Sequence, residues 1–430
     1  MNIILKVVLL LSLSFSVYGQ KLTAIEAQIV KEIDDYLPTA RYQLEQVVNI
    51  NSGTMNFSGV QQVGMYFKKQ LDALGFDTYW QSGEAFGRAG HLVANYGNTG
   101  KKVLLIGHLD TVFAKDDSFQ KYLEINERYV SGPGLTDMKG GNVIMISAIR
   151  ALKKLGLLEN INLRIVLTGD EEKSGSPLNL SKQAIVDAAK WAEIALGFED
   201  GDSNIKTAVI SRRGAINWTL TVTGKAAHSS QIFTENIGDG AILEMARILN
   251  DFRQSLSSIE NLTFNPGLVL GGTTTSLAIK NSNGNSFGKN NVIAKSANAT
   301  GDIRAISPKQ LQQTKKTMRE IVRNNLPYTC AEIIFHSGYP PMPPTALNKK
   351  LLGWYSQVSE DLGYGKVIAV NPRKAGAADI SFAANHVDMS LDGLGLMGEG
   401  GHTINEVADM SSFSKNTYKA ALLIYRLSLL

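Results

Sequence analysis

The sequence predicts an α/β protein in which a mostly parallel mixed sheet carries helices on both faces and is interrupted by a smaller α/β domain. Over the first half of the chain, short and continuously apolar runs alternate with amphipathic helical stretches. This order is typical of a parallel sheet that is covered on both sides. Near residue 208 the pattern changes to strands of strict alternation such as AINWTLTVTG, which indicates an inserted second domain.

The composition is that of an ordinary globular protein. The chain has 430 residues, enough for roughly two to three domains. Its formal charge of +4 is small and dispersed, which argues against a nucleic-acid-binding protein. A single cysteine, Cys330, excludes an intramolecular disulfide.

The N-terminus has the pattern of a secretory signal peptide. Lys6 precedes the apolar run VVLLLSLSFSV, which ends near the small residue Gly19. The run is too short to span a membrane. We therefore expect residues 1–19 to be cleaved and the mature protein to be secreted or periplasmic, without a membrane anchor.

The elements of the large domain follow in order after the signal. Apolar spacing predicts helices over residues 21–48 and 57–74, and HLVANYG and VLLIG predict strands. A helix over 141–155, the strand INLRIVLTG, a helix over 181–191 and the short strand EIALGF complete the first part, residues 20–207.

The inserted domain is predicted to span residues 208–338. Its order is β-α-β-β-α-β, the ferredoxin-like arrangement. One strand is expected in NVIAKSANATGDIRAI, and the polar stretch NSNGNSFGKNN before it is expected to be a loop. The proline-rich segment SGYPPMPPT then leads back to the large domain, whose second part is residues 339–430.

Three apolar strands of the large domain end in side chains that can bind a metal. His108 follows VLLIG, an acidic cluster at 170–172 follows INLRIVLTG, and a second one at 199–200 follows EIALGF. Ligands bind beyond the carboxyl ends of such strands, and Asp137 and His402 add donors from glycine-rich loops. Imidazoles with carboxylates suit a divalent ion such as zinc. Taken singly, each residue could also be a core histidine, a helix cap or a solvated strand end.

Several motifs together resemble the co-catalytic zinc peptidase family that includes glutamate carboxypeptidase, acetylornithine deacetylase, succinyl-diaminopimelate desuccinylase and the aminoacylases. They run in the family order over about residues 90–410: GHLDTV, GPGLTDMKGG, TGDEE, GFED, GKAAHSS, NVI, GDIRA and GGHTINE. The resemblance implies a zinc-peptidase domain interrupted by a lid or dimerisation domain.

By position, the resemblance implies a centre of two Zn²⁺ ions, which Co²⁺ or Mn²⁺ can replace. It assigns His108 to one ion and Glu172 and His402 to the other, with Asp137 bridging the two. Glu199 completes the set, because GFE matches the carboxypeptidase and deacylase members.

Two assignments around this set keep an alternative. Asp200 in place of Glu199 would favour an aminopeptidase or dipeptidase. Asp110 is expected to orient the imidazole of His108 from outside the ligand set, although a turn carboxylate would have the same spacing.

The resemblance also implies the catalytic and substrate-binding residues. Glu171 is expected to be the general acid/base, and His228 to reach across a homodimer to the developing oxyanion. Asn291 and Arg304 match positions that hold the substrate carboxylate, and Gly376 matches a backbone contact of the same pocket.

The sequence thus predicts an exported two-metal hydrolase of amide bonds next to a free carboxylate. Its substrate would be a small peptide or an N-acyl amino acid, and its lid domain would form the homodimer. The alternatives are an aminopeptidase or dipeptidase at the same site, or a catalytically dead peptide-binding relative.

Overall fold

The computed structural model describes residues 22–278 and 283–430 of the chain. The predicted signal peptide, residues 1–19, lies outside the described residues. Among the helices that are described, none is long and apolar enough to cross a membrane.

The helices in chain order are α1 Ala24–Val48, α2 Phe57–Ala73, α3 Gly140–Lys154, α4 Leu178–Ser181, α5 Gln183–Trp191, α6 Gly240–Leu256, α7 Pro308–Arg323, α8 Ala346–Asp361, α9 Ile380–Ala383 and α10 Met410–Leu427. The strands are β1 Asp77–Ser82, β2 Gly90–Tyr96, β3 Lys101–His108, β4 Leu123–Glu124, β5 Tyr129–Ser131, β6 Ile161–Thr168, β7 Ile194–Gly197, β8 Thr207–Ala208, β9 Gly214–Thr223, β10 Thr263–Gly272, β11 Thr274–Ala278, β12 Asn283–Phe287, β13 Ser296–Ala305, β14 Cys330–Phe335, β15 Ile368–Ala369, β16 Met389–Leu391, β17 Gly398–Glu399 and β18 Val407–Asp409.

The main sheet has six strands in the order β1-β2-β6-β3-β7-β16. Strand β3 runs parallel to both β6 and β7, and β16 runs parallel to β7. Strands β1 and β2 extend the other edge in antiparallel pairs. This arrangement confirms the predicted mostly parallel mixed sheet, although the antiparallel edge strand β1 was not predicted.

Each face of the main sheet packs against helices. Along β3, Val103 and Leu105 belong to a large core that includes side chains of α1, α3 and α10. Leu104 and Ile106 belong to a second core with side chains of α5 and α9. A strand that is buried on both faces reads as a continuous apolar run, which is why VLLIG shows no alternation.

The smaller sheet has four antiparallel strands in the order β10-β13-β9-β14. With α6 and α7 packed on the face of Trp218 and Leu220, it has a core of its own. The elements follow the predicted β-α-β-β-α-β order within residues 208–338, and those boundaries remain a prediction. The stretch expected to be a loop contains β12, which pairs with β11 as an additional hairpin.

A candidate two-metal centre

The sheet order brings the candidate ligands to one place. Strands β6, β3 and β7 are parallel neighbours, so their carboxyl ends place Glu172, His108 and Glu199 side by side. The N-terminus of α3 closes this edge, because a Cβ atom on Gly141 would lie only 1.9 Å from the carbonyl oxygen of Phe198. Glycine is therefore required there for the helix to approach the end of β7.

Two further contacts add Asp137 and His402. Strand β5 leads into the loop that carries Asp137, and it pairs with β18 of the β17–β18 hairpin, whose turn carries His402. The buried carboxylate of Glu406 accepts hydrogen bonds from the amides of Gly134 (2.8 Å) and Thr136 (2.8 Å), which fixes the Asp137 loop to this hairpin. His402 has a left-handed φ of 63°, an uncommon conformation for a residue other than glycine.

Asp137 lies between the two imidazoles. Its Oδ1 is 2.8 Å from Nε2 of His108, and its Oδ2 is 2.7 Å from Nε2 of His402. On the His108 side, Oε1 of Glu199 lies 3.6 Å from the same Nε2. On the His402 side, Oε2 of Glu172 lies 3.3 Å from Nε2.

The donors therefore form two groups of three that share one residue. In each group the ligating atoms lie within 4.8 Å of one another, His108, Asp137 and Glu199 in one group and Asp137, Glu172 and His402 in the other. Oε1 of Glu172 is buried and has no hydrogen-bond partner among the described residues. Mixed imidazole and carboxylate donors, and a buried carboxylate oxygen without a partner, both fit divalent metal ions.

The electrostatics of the cluster agree with that fit. Burial, reinforced by the charge of Asp137, raises the pKa of Glu172 to about 10, and burial raises the pKa of Glu171 to about 8. Burial also tends to raise the pKa of Asp137, but the hydrogen bonds from His108 and His402 hold that pKa below the usual range of an aspartate. The centre thus buries more carboxylates than it has cations, and a divalent ion would supply the missing positive charge.

Asp110 contacts both the imidazole of His108 and the acidic loop that follows β6. The main-chain carbonyl oxygen of Asp110 accepts a hydrogen bond from Nδ1 of His108 (2.9 Å), and Oδ1 of Asp110 lies 3.5 Å from the same nitrogen. Its buried carboxylate also accepts hydrogen bonds from the amides of Glu171 (3.0 Å) and Glu172 (3.2 Å) and from the hydroxyl of Thr54 (2.6 Å). Asp110 therefore fixes the imidazole through its backbone and the acidic loop through its side chain.

The neighbouring acidic residues lie outside both donor groups. Asp170 points into the interior, where its carboxylate pairs with the buried ammonium of Lys182 at 2.8 Å. Asp200 is likewise absent from the two groups, and Glu199 is the residue that joins His108. Glu171 also belongs to neither group.

His228, predicted to be catalytic, and Asn291 and Arg304, predicted to bind substrate, belong to the smaller domain and to neither donor group. His228 is exposed, and it lies beside Asn291 because the amide of Ser229 donates to the Asn291 carbonyl at 2.9 Å. Asn291 was expected on a strand, but it precedes β13, which begins only at Ser296. Arg304 lies on β13 and pairs with Asp302 at 2.8 Å.

Gly376 lies in the second part of the large domain. Its carbonyl oxygen accepts a hydrogen bond from Nη1 of Arg212 at 2.8 Å. A Cβ atom at this position would meet nothing within 4 Å, so packing does not require glycine there.

Sequence reasoning missed several polar residues around the centre, namely the buried Glu406, Lys182, Asp379, Arg212 and Asp392 and the half-buried Tyr339. Only Glu406 carried a local signal, since it closes the motif GGHTINE. The others become recognisable only through contacts between segments that are distant in the chain.

Comparison with known proteins agrees with this geometry. The model of a family described as peptidase family M20/M25/M40 matches residues 104–426. Carboxypeptidase G2 of Pseudomonas sp. (strain RS-16) is 26% identical over 397 residues, which cover 91% of this chain and 89% of the relative.

Two solved structures show the same fold. A tripeptidase from Staphylococcus aureus subsp. aureus Mu50 has a TM-score of 0.68 at 18% identity, covering 91% of this chain and 98% of its own. A dinuclear metal binding peptidase of the M20 family from Bacillus subtilis has a TM-score of 0.64 at 13% identity, covering 92% and 100%. The chain therefore belongs to peptidase family M20/M25/M40, and it is a metal-dependent hydrolase of the metallopeptidase or amidohydrolase type.

Proposed function

We propose that the protein is an exported two-metal hydrolase that cleaves an amide bond next to a free carboxylate. The observation that carries this proposal is the position of Asp137, whose two oxygens each face a different imidazole within a separate donor group. A carboxylate shared by two donor sets is the arrangement that a bridged metal pair needs.

The residues that would hold the metals are His108, Asp137 and Glu199 on one side, and Asp137, Glu172 and His402 on the other. When bound, the ions would polarise the scissile carbonyl and acidify a water molecule. The solved M20 peptidase from Bacillus subtilis is described as a dinuclear metal binding peptidase, which supports a pair of ions here. We propose zinc because imidazole and carboxylate donors are typical of catalytic zinc sites.

Glu171 carries out the proton transfers in this proposal. It accepts a proton from the water as the water oxygen attacks the amide carbon. When the carbon–nitrogen bond breaks, Glu171 delivers that proton to the leaving nitrogen, so the products are a carboxylic acid and an amine. The amide of Glu171 donates to the carboxylate of Asp110 at 3.0 Å, and the same carboxylate accepts the amide of Glu172, so one side chain fixes the main chain of both residues.

Recognition of the substrate carboxylate is assigned to Arg304 and Asn291. Arg304 is partly exposed and has a single acidic partner, Asp302, among the described residues. A planar guanidinium can exchange such a partner for a bidentate grip on a substrate carboxylate. The name carboxypeptidase G2 of the relative supports release of a C-terminal residue.

His228 would complete the site of a second subunit. It is exposed and belongs to neither donor group of its own chain, so it is free to act elsewhere. We propose a homodimer through the smaller domain in which each His228 stabilises the oxyanion at the partner's metals. The signal-like segment at residues 1–19 supports export to the periplasm or medium.

The test compares N-acetyl amino acids and dipeptides with their C-terminal amides, using protein loaded with zinc or cobalt. We expect hydrolysis of the free acids and a much higher KM for the amides. In Arg304→Ala the KM for the acids should rise by about tenfold or more, because an ionic hydrogen bond contributes about 1.5–3 kcal/mol. Equal rates on acids and amides would refute the carboxylate assignment, and cleavage of peptides only from the amino end would replace it with an aminopeptidase.

A further inference from the structure

The chain passes between the two sheets at two points, and these two crossings are hydrogen-bonded to each other. The amide of Arg212 donates to the Met342 carbonyl (3.0 Å), and the amide of Met342 donates back to the Arg212 carbonyl (2.9 Å). Further along, the amide of Ala215 donates to the Tyr339 carbonyl at 2.9 Å. We call residues 212–215 and 339–342 the connecting ribbon.

The connecting ribbon is stiff. A Cβ atom on Gly214 would lie 2.8 Å from both the Tyr339 carbonyl oxygen and the Pro341 nitrogen, so the two strands are in close contact. Pro340 and Pro341 fix their own φ angles and restrict the residues before them. Met342 is fully buried in the core beneath the main sheet. The ribbon therefore has few free backbone dihedrals that could absorb a displacement of the smaller domain.

One strand of the ribbon contacts the main chain of Glu171. The hydroxyl of Tyr339 donates to the carbonyl oxygen of Glu171 at 2.9 Å, and Oδ1 of Asp379 and Oγ of Ser174 lie 3.3 Å from the same hydroxyl. The ring of Tyr339 packs edge-on against Phe382, with 4.9 Å between the ring centroids. Ring packing and the hydroxyl contact are therefore separable by mutation.

The other strand reaches the opposite side of the same site. The buried guanidinium of Arg212 donates from Nε to Oδ2 of Asp392 at 2.8 Å. The other oxygen, Oδ1 of Asp392, accepts the amide of Glu199 at 3.4 Å and that of Gly393 at 2.7 Å. One strand of the ribbon thus contacts the main chain of Glu171 directly, and the other reaches the main chain of Glu199 through Asp392.

We propose that Tyr339 is a positioning residue for Glu171, and that the connecting ribbon makes the placement of Glu171 depend on the position of the smaller domain. This inference rests on the proposed function, in which Glu171 transfers the proton. The smaller domain carries Arg304, so engagement of a substrate carboxylate would be transmitted along the ribbon to the residue that activates water. A displacement of about 1 Å at a reacting group can change a rate by about a hundredfold.

The experiment compares Tyr339→Phe with the parent protein, using an N-acetyl amino acid that the parent hydrolyses. Loss of one positioning hydrogen bond should lower kcat about tenfold, with KM and metal content unchanged. Tyr355→Phe is the matched control, because the buried hydroxyl of Tyr355 has no hydrogen-bond partner among the described residues. That variant should keep the parent kcat.

A double-mutant cycle tests the ribbon itself. Pro341→Ala should lower kcat about threefold in the parent and leave it unchanged in the Tyr339→Phe background, since coupled residues are not additive. Pro344→Ala, outside the ribbon, should have no effect in either background. An unchanged kcat in Tyr339→Phe, a fall in kcat that parallels loss of metal, or strict additivity with Pro341→Ala would overturn the inference.

The outcome is separable from a failure of the proposed function. If Glu171→Gln retains full turnover, the assignment of the proton-transfer residue is wrong, and the inference is wrong with it. If Glu171→Gln is inactive while Tyr339→Phe is normal, only the inference is wrong.

Discussion

Replacing Lys182 by methionine should be among the most destabilising single changes in the large domain. The Lys182 ammonium lies 2.8 Å from Oδ1 of Asp170 and 3.0 Å from Oδ1 of Asp379, and its side chain is 1% exposed. Methionine has a similar length and apolar volume, so the variant leaves two buried carboxylates without their cation. Removing one partner of a buried ion pair typically costs about 3–5 kcal/mol.

The assay is urea unfolding of the metal-loaded protein, followed by far-UV circular dichroism. We expect the free energy of unfolding of Lys182→Met to fall by about 3–5 kcal/mol, while Lys182→Arg, which keeps the charge, loses much less. Lys31→Met is the surface control, because its ion pair with Asp35 is exposed. A loss of less than about 1 kcal/mol in Lys182→Met would refute the reasoning, since exposed pairs already reach that value.

Three further predictions concern catalysis, assembly and pH. Glu171→Gln should keep both metals and lose about 10²–10⁴-fold in kcat, whereas metal analysis of Glu172→Gln should show the loss of one ion. Mixing inactive His228→Ala with inactive Glu171→Gln should restore part of the activity, because a mixed dimer pairs one intact His228 with one intact metal site. A mixture that stays inactive after proven subunit exchange would exclude the role of His228 across the dimer. The hydrogen bonds from Arg128 lower the pKa of Asp409 to about 2, against about 4 in the unfolded chain. The ionised carboxylate therefore stabilises the folded state above about pH 4, and this contribution is lost as the pH falls towards about 2. Asp409→Asn should therefore cost about 1 kcal/mol at pH 7 in urea unfolding, and a difference from the parent that persists at pH 2 would contradict this account.

The sequence was most informative where a local pattern coincided with a buried element. VLLIG is apolar throughout because β3 is buried on both faces, and its end places His108 at the sheet edge. The glycine cluster around Asp137 reflects close approaches such as that of Gly141 to Phe198. The five predicted metal ligands lie together because strand ends and glycine turns are local features of a chain.

Features that depend on contacts between distant segments were not predictable. The pairing of Lys182 with Asp379 and the contact of Tyr339 with Glu171 join separate parts of the chain, and nothing near each residue in sequence indicates its partner. Similarly, the polar residues of β12 give no apolar alternation, because that hairpin is largely exposed. Spacing placed Asp110 beside His108, but it could not say that the closer contact, at 2.9 Å, is made by the main-chain carbonyl.

The central claim is that Asp137 joins two metal ions, and metal stoichiometry tests it most directly. After dialysis against zinc and removal of free ion, elemental analysis should find about two zinc ions per chain in the parent and about one in His402→Ala. Asp137→Asn should retain less than about one ion and lose activity, because both donor groups share this carboxylate. A parent protein that binds a single ion, or an Asp137→Asn variant that keeps both, would contradict the account.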